Sequence, residues 1–159
     1  MPSSEDCDLS PNASLSVEEF DNAYVRERLR GLARGAGYWI VTREVRLRSV
    51  DSAGLRPLAV KVDVEGWEAA ALRGMVETLR AAHPLLMIEL NNRERWMDWL
   101  YALGYRMFRY QHQPAALVPA PRHARLLNAF WLHPESPPAL LDVLEPLLPD
   151  AGTRWMRPD

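Results

Sequence analysis

The chain has 159 residues, of which 48% are hydrophobic and 25% charged, which is ordinary usage for a globular domain with its own core. The formal net charge of -2 gives no basic excess of the kind that binds nucleic acid. The one cysteine, Cys7, excludes an internal disulfide and a multi-cysteine zinc site. The first residues lack a signal-peptide pattern, and no apolar run approaches the roughly 20 residues that span a bilayer, so we expect a cytoplasmic protein without a membrane partner.

The first third of the chain is predicted to start flexibly and then to form a helix. Residues 1–15 are polar and rich in Ser, Asp, Asn and Pro, which favours an irregular segment. Ser16 and Glu19 form a capping box, and the apolar spacing from Phe20 to Leu32 indicates a helix. Residues 38–42 are expected to form a short strand or an extended linker, and the alternating residues 44–50 a half-exposed strand.

The remaining chain alternates between strand-like and helix-like patterns. A strand is expected at residues 58–63, followed by the Glu65-Gly66 turn and one helix over residues 67–80. A nearly continuous apolar strand follows at residues 85–90, then a helix over residues 93–103 that ends at Gly104. Further elements are a strand at residues 105–110, a Pro-rich connection over residues 113–122, a strand at residues 128–132 and a helix at residues 137–144.

This alternation predicts an α/β fold with a mostly parallel sheet whose last strand runs antiparallel. The expected organisation is a flexible start at residues 1–15, a central domain at residues 16–135, and a C-terminal helix and tail at residues 136–159.

Acidic side chains follow two neighbouring strands of this predicted sheet. Asp63 and Glu65 come after the first strand, and Glu89 ends the second, ahead of Asn91. Since ligands of open parallel sheets sit beyond the carboxyl ends of the strands, we expect these side chains to line one crevice. Carboxylates there can accept a proton, hold Mg²⁺ or Ca²⁺, or hydrogen-bond a ribose or a cationic ligand, and the sequence leaves these three uses open.

Three residues next to this crevice have interpretations of their own. Glu68 lies in the first turn of the following helix, where a favourable interaction with the helix dipole is an alternative to ligand binding. Lys61 shares a strand face with Asp63, which predicts an ion pair between them. Trp67 follows the acidic turn directly and is a candidate surface for ligand stacking.

The motif set resembles the FkbM-type methyltransferases. It comprises VKVDVEGWE at residues 60–68, LRG at residues 72–74 and LMIE at residues 86–89, with VDS at residues 50–52, NASL at residues 12–15, LGY at residues 103–105 and NAF at residues 128–130 in supporting positions. The resemblance covers roughly residues 10–135. It implies a Rossmann-like fold of the class I methyltransferase kind, S-adenosylmethionine as the methyl donor, and O-methylation of a hydroxyl on a sugar or other small molecule.

The resemblance also assigns expected roles to residues of this chain. Asp63, Glu65 and Glu89 are expected to be catalytic, and Asp63 and Gly66 to contact the cofactor. The acceptor is expected to meet the residues Trp67, Glu68 and Asn91. No metal ligand is expected.

One part of the family pattern has no counterpart in this sequence. We find no glycine-rich turn between a strand and a helix before residue 50, although that turn cradles the cofactor in the family. We therefore expect the chain to be a partial domain, with most of the residues that contact the cofactor outside it. Whether the chain is active on its own is left open. Two other hypotheses remain. One is a non-catalytic fragment that binds a partner or a second copy of the chain through an uncovered sheet edge. The other is a metal-dependent α/β hydrolase that uses the same carboxylates.

Overall fold

The computed structural model describes residues 23–33, 44–90 and 96–148. The chain divides into two compact units, Met1–Leu47 and Arg48–Asp159. The first unit contains helix α1, Ala23–Leu32, which confirms the described part of the predicted helix. The capping box at Ser16 and the strand expected at residues 38–42 lie outside the described residues.

The second unit is built on a five-stranded sheet. Its strands are β1 (Ala59–Val62), β2 (Leu85–Glu89), β3 (Arg106–His112), β4 (Ala115–Pro119) and β5 (Asn128–Leu132). They lie side by side in the order β1-β2-β5-β3-β4. Of the strands that the structure describes, β1 and β4 therefore form the two edges.

The expectation of a mostly parallel sheet is wrong. Among the described residues, only β1 and β2 pair in parallel, whereas β2 with β5, β3 with β5, and β3 with β4 pair antiparallel. The reason is the position of β5, which runs antiparallel as predicted but inserts between β2 and β3. Strands β2 and β3 still point the same way, as a helical crossover requires, but they are not neighbours. The structure is a mixed α/β fold with an open sheet.

One predicted strand is absent from the structure, and one predicted connection contains a strand. Residues 44–49 form no strand in the structure, and Val45 and Leu47 are largely exposed, so their alternation does not mark a buried face. The Pro-rich connection instead contains β4, which forms a hairpin with β3. Pro119 at the end of this edge strand removes one backbone donor where the sheet can tolerate the loss.

Helices cover the sheet on both faces. They are α2 (Glu68–Arg73), α3 (Val76–Ala82), α4 (Trp96–Ala102) and α5 (Pro138–Leu144). The single helix expected over residues 67–80 is two helices, because Gly74 ends the first of them. Gly74 is the C-cap of α2, and its backbone N–H donates hydrogen bonds to the carbonyls of Ala70 and Ala71.

The core has two parts, one on each sheet face. Leu72, Leu79 and Leu100 from α2, α3 and α4 pack with Val62, Ile88 and Trp131 of the sheet. Leu140 and Leu144 of α5 pack with Phe108 and Leu132 on the other side. Because neighbouring residues of a strand face opposite ways, β5 supplies Trp131 to the first cluster and Leu132 to the second.

A short 3-10 turn at Asp51–Ala53 fixes the start of α3. The Asp51 carboxylate accepts hydrogen bonds from the backbone N–H groups of Glu77, at 3.2 Å, and Thr78, at 2.8 Å. The Thr78 hydroxyl donates a further bond of 2.8 Å to it. These donors are among the unpaired N–H groups of the first helical turn, so Asp51 caps α3 from a distant point in the sequence.

Candidate functional site

The parallel pair β1 and β2 brings two carboxylates together at its carboxyl end. Val62 is aligned with Ile88, so the next residues, Asp63 and Glu89, stand at the same level. The side chains of Val62 and Ile88 enter the core beneath the helices. By strand alternation, Lys61, Asp63 and Glu89 project from the opposite face. The structure therefore confirms that the carboxyl ends of these two strands lie next to each other, as predicted.

Asp63 is held between a cation and a second carboxylate. Lys61 Nζ lies 2.6 Å from Asp63 Oδ2, which confirms the predicted ion pair. The side chains keep 58% and 36% of their exposure, so solvent screens this pair. The hydrogen bond from Lys61, followed by one with the Glu89 carboxyl, holds the pKa of Asp63 below its ordinary value. Asp63 in turn raises the pKa of Lys61.

The turn after β1 places a third carboxylate at this point. Glu65 and Gly66 both have positive φ angles, 47° and 91°. Gly66 adopts this conformation without strain, but a side-chain-bearing residue such as Glu65 does so at a cost. One carboxylate oxygen from each of Asp63, Glu65 and Glu89 lies within 4.8 Å of the others. The strained residue therefore contributes to the acidic cluster that we name the strand-end cluster: Asp63, Glu65 and Glu89.

Glu68 lies inside the protein and supports this turn. Only 1% of Glu68 is exposed, and its Oε1 accepts a 3.1 Å hydrogen bond from the Gly66 backbone N–H. Trp67, by contrast, is 42% exposed beside the turn. The substrate-binding roles of both residues stay predictions. Asn91, the third residue expected to bind substrate, lies outside the described residues.

A second polar cluster was not anticipated from the sequence. His83, at the C-terminal end of α3, stacks on His133 after β5, with ring centroids 3.9 Å apart and an interplanar angle of 5°. Glu135 reaches His83 at 3.9 Å. Fifty residues separate the two histidines in the sequence, so only the sheet topology, which places the start of β2 beside the end of β5, could have revealed the contact.

The hydrogen bonds of His133 fix its protonation. Its Nδ1 accepts the Glu135 backbone N–H at 3.0 Å, so Nε2 carries the proton and donates to the Leu103 carbonyl at 3.0 Å. Burial, with a further contribution from His83, lowers the pKa of His133. Because the His133 imidazole is neutral and both of its nitrogens are hydrogen-bonded, we interpret the His83–His133 pair as a structural contact between α3, α4 and β5.

Each of the two clusters brings together side chains that can bind a metal ion, but the geometry of neither cluster shows that one binds. The strand-end cluster offers three oxygen ligands, which suit hard cations, but exposed acidic groups commonly lie together without an ion. At the histidine pair both ring nitrogens of His133 already have partners, so a metal would have to displace a buried hydrogen bond.

The strand-end cluster has the chemistry of a proton acceptor. An ionised Asp63 beside Glu89 can accept a proton from a hydroxyl, and several carboxylates attract a cationic ligand. Trp67 directly follows the Glu65-Gly66 turn in the sequence, and its half-exposed indole offers a flat apolar surface. Such a combination suits a small ligand that carries both hydroxyl groups and a positive charge.

Comparisons with known proteins place this geometry in a family. Within the part of the chain that the structure describes, no helix has the length and apolarity needed to cross a membrane. Searches of curated proteins and of solved structures returned no match. The family model described as the methyltransferase FkbM domain matches residues 5–107, which include β1, β2 and the strand-end cluster. This match covers well over half of the 159 residues, and the chain therefore belongs to the FkbM methyltransferase domain family.

Proposed function

We propose that this protein takes part in S-adenosylmethionine-dependent O-methylation of a hydroxyl on a sugar or another small molecule. In this proposal the strand-end cluster faces the reacting groups. Asp63 accepts the proton that the acceptor hydroxyl loses as its oxygen gains the methyl group. Glu89 stands beside Asp63, and Glu65 extends the negative surface.

The observation that carries this proposal is the side-by-side ending of β1 and β2 within the family match. Parallel register brings Asp63 and Glu89 to one level, and the Lys61 ion pair keeps Asp63 ionised. General base catalysis requires an ionised group within hydrogen-bonding reach of the hydroxyl, and Asp63 keeps enough exposure to meet one.

The residues present fit the chemistry of the proposed methyl donor. When bound, S-adenosylmethionine supplies a methyl group on a positively charged sulfur and carries ribose hydroxyls. The carboxylates of the strand-end cluster complement that charge and accept hydrogen bonds from hydroxyl groups. Asp63 and Gly66 are the residues of this chain that we assign to holding it. Gly66 has a positive φ and no side chain, which lets a ligand approach its backbone.

Isothermal titration calorimetry with S-adenosylmethionine tests the proposal on the chain as it stands. Although most cofactor contacts are expected outside this chain, we expect the strand-end cluster alone to give weak but measurable binding. This binding should weaken by about tenfold in Asp63→Asn, since the variant removes one negative charge next to the sulfonium and costs roughly 1.4 kcal/mol. Asp142→Asn is the matched control, because it removes a charge from α5 instead. Absence of binding, or equal binding by the wild type and Asp63→Asn, would contradict the proposal.

A parallel titration with Mg²⁺ separates the proposal from a metal-dependent hydrolase. We expect no Mg²⁺ heat that depends on Asp63 and no requirement for Mg²⁺ in S-adenosylmethionine binding. The hydrolase would be favoured instead if the chain does not bind S-adenosylmethionine but binds Mg²⁺, and if Asp63→Asn abolishes the Mg²⁺ binding.

A further inference from the structure

Glu68 carries a carboxyl group that the protein keeps away from water at the start of α2. The residue is 1% exposed, and its Oε1 accepts the Gly66 backbone N–H at 3.1 Å. A buried carboxyl group costs free energy unless hydrogen bonds compensate for it, and an apolar side chain of similar length would fill the same space without that cost. The bond to Gly66 is therefore the feature that explains a carboxyl group at this position.

The Gly66 N–H belongs to a tight turn that does not suit one of its own residues. The Trp67 N–H donates to the Val64 carbonyl at 3.2 Å, and the two central residues, Glu65 and Gly66, have φ angles of 47° and 91°. This combination matches a type I′ turn, whose central positions are usually occupied by glycine, asparagine or aspartate. Because Glu65 is none of these, the turn needs support from outside its own backbone.

We infer that Glu68 is a positioning residue: its bond to Gly66 holds the turn, and the turn holds the Glu65 carboxylate in the strand-end cluster. A carboxylate oxygen of Glu65 lies within 4.8 Å of oxygens of Asp63 and Glu89 while Glu65 keeps its positive φ. If the turn relaxed to a negative φ, the side chain of Glu65 would leave Cα in a different direction.

This role differs from the acceptor contact that the family resemblance implies for Glu68. A residue that is almost completely buried offers a ligand little surface, whereas its bond to Gly66 acts on the ligand-facing residues indirectly. The effect on methyl-donor binding rests on the proposed function, but the control of the turn does not.

NMR of the free chain tests the control of the turn. In Glu68→Met, which keeps an unbranched side chain but removes the acceptor, the Gly66 amide should exchange with solvent about tenfold faster than in the wild type, as expected for the loss of one hydrogen bond. The one-bond Cα–Hα coupling of Glu65, which reports the sign of φ, should move away from its positive-φ value. Glu68→Gln keeps a carbonyl acceptor and should restore most of both signals.

Thr78→Val is the matched control for a general loss of stability. Thr78 is also buried, and the substitution removes the hydrogen bond of its hydroxyl to the Asp51 carboxylate at the start of α3. Exchange rates are expressed relative to the amide of Ile88, which is fully buried in the central strand β2 and reports global opening. On this scale, Thr78→Val should leave the Gly66 amide unchanged.

Calorimetry with S-adenosylmethionine separates positioning from direct contact. We expect Glu68→Met to weaken binding by about threefold or more in the wild-type background, but to have little effect in the Glu65→Gly background, because the charge that Glu68 positions is then absent. Equal losses in the two backgrounds would show that Glu68 contacts the ligand itself and would overturn the inference.

The inference would also be overturned if the Gly66 amide exchanged as fast in the wild type as in Glu68→Met, or if Thr78→Val accelerated its exchange equally. These NMR readouts use neither S-adenosylmethionine nor an acceptor. A chain that shows the expected exchange rates and Glu65 coupling without binding S-adenosylmethionine would refute the proposed function and leave the control of the turn by Glu68 standing.

Discussion

Glu65 combines a strained backbone with a place in the strand-end cluster. Its φ of 47° lies in the left-handed region, which costs a residue with a side chain roughly 1–2 kcal/mol relative to glycine. Strain of this kind persists where the surrounding structure imposes it, and it is concentrated at functional sites. The carboxylate of Glu65 joins Asp63 and Glu89 as a result. We therefore interpret the strain as the cost of placing a third negative charge at the strand end.

Glu65→Gly should separate stability from binding. Because glycine adopts the same φ freely, we expect the free energy of unfolding in urea to stay level or rise by up to about 1 kcal/mol. Binding of S-adenosylmethionine should weaken, since one carboxylate is lost. Glu65→Gln is the control that removes the charge and retains the strain: it should weaken binding without gaining stability. A loss of stability in Glu65→Gly would contradict the strain assignment.

His133 should make the stability of the protein sensitive to mild acid. Burial, and then the neighbouring His83, lower the pKa of His133 from its ordinary value of 6.5. The unfolded chain therefore takes up a proton more readily than the folded one, and stability is lost as the pH falls from that value through the folded pKa. We expect the free energy of unfolding to decline over this range, with its full value above it.

His133→Phe tests this pH dependence. The variant keeps an aromatic ring against His83 but cannot be protonated, so its unfolding free energy should vary less with pH below about 6.5. It should also be less stable at neutral pH, because the Leu103 carbonyl and the Glu135 N–H lose their partner. His112→Gln, at an exposed position of β3, is the control and should retain the wild-type slope. If the free energy of unfolding of His133→Phe falls as steeply at acidic pH as that of the wild type, groups other than His133 cause the acid sensitivity.

At the scale of the elements, Gly104 joins α4 to β3 under two constraints. It has a φ of 96°, and a β-carbon there would lie 2.5 Å from His133 Nε2. Its backbone N–H donates to the Tyr101 carbonyl at 3.0 Å and so helps to close the end of α4. The glycine is needed both for its backbone conformation and for the space that His133 occupies.

Gly104→Ala should therefore be clearly destabilising. We expect a loss of about 1–3 kcal/mol, measured by urea unfolding, because strain adds to the displacement of the His133 ring. Gly54→Ala is a matched control: Gly54 has a φ of 63° but nothing within 4 Å of the added carbon, so its loss should come from the backbone alone. Equal losses in the two variants would show that the contact with His133 carries no weight.

At the scale of the whole molecule, local patterns predicted most elements but not their arrangement. The apolar runs at β1, β2 and β5 and the helical spacing of α4 and α5 correspond to observed elements, because each buries a face whose periodicity is visible in the sequence. The insertion of β5 between β2 and β3 is a long-range pairing that no local pattern encodes. The hairpin strand β4 was missed because prolines at positions 114, 119 and 121 indicate a loop.

The candidate site was predictable to the extent that it depends on β1 and β2. Asp63 and Glu89 each end a recognisable strand, and the parallel pairing of these strands follows from the helices between them. The burial of Glu68 was not predictable, since it depends on how the Gly66 turn folds back over the start of α2. The His83–His133 stack was likewise hidden, because it depends on the antiparallel neighbour that β5 provides for β2.

The central claim, that the strand-end cluster forms the wall of a methyl-transfer site, is tested most directly by mapping where S-adenosylmethionine binds. Titration of the ¹⁵N-labelled chain with this ligand should shift the backbone signals of Asp63 and Gly66 and the indole signal of Trp67 most strongly, and Asp63→Asn should reduce these shifts. Shifts centred on the His83–His133 pair or on α5, with the signals of Asp63, Gly66 and Trp67 unchanged, would contradict the account.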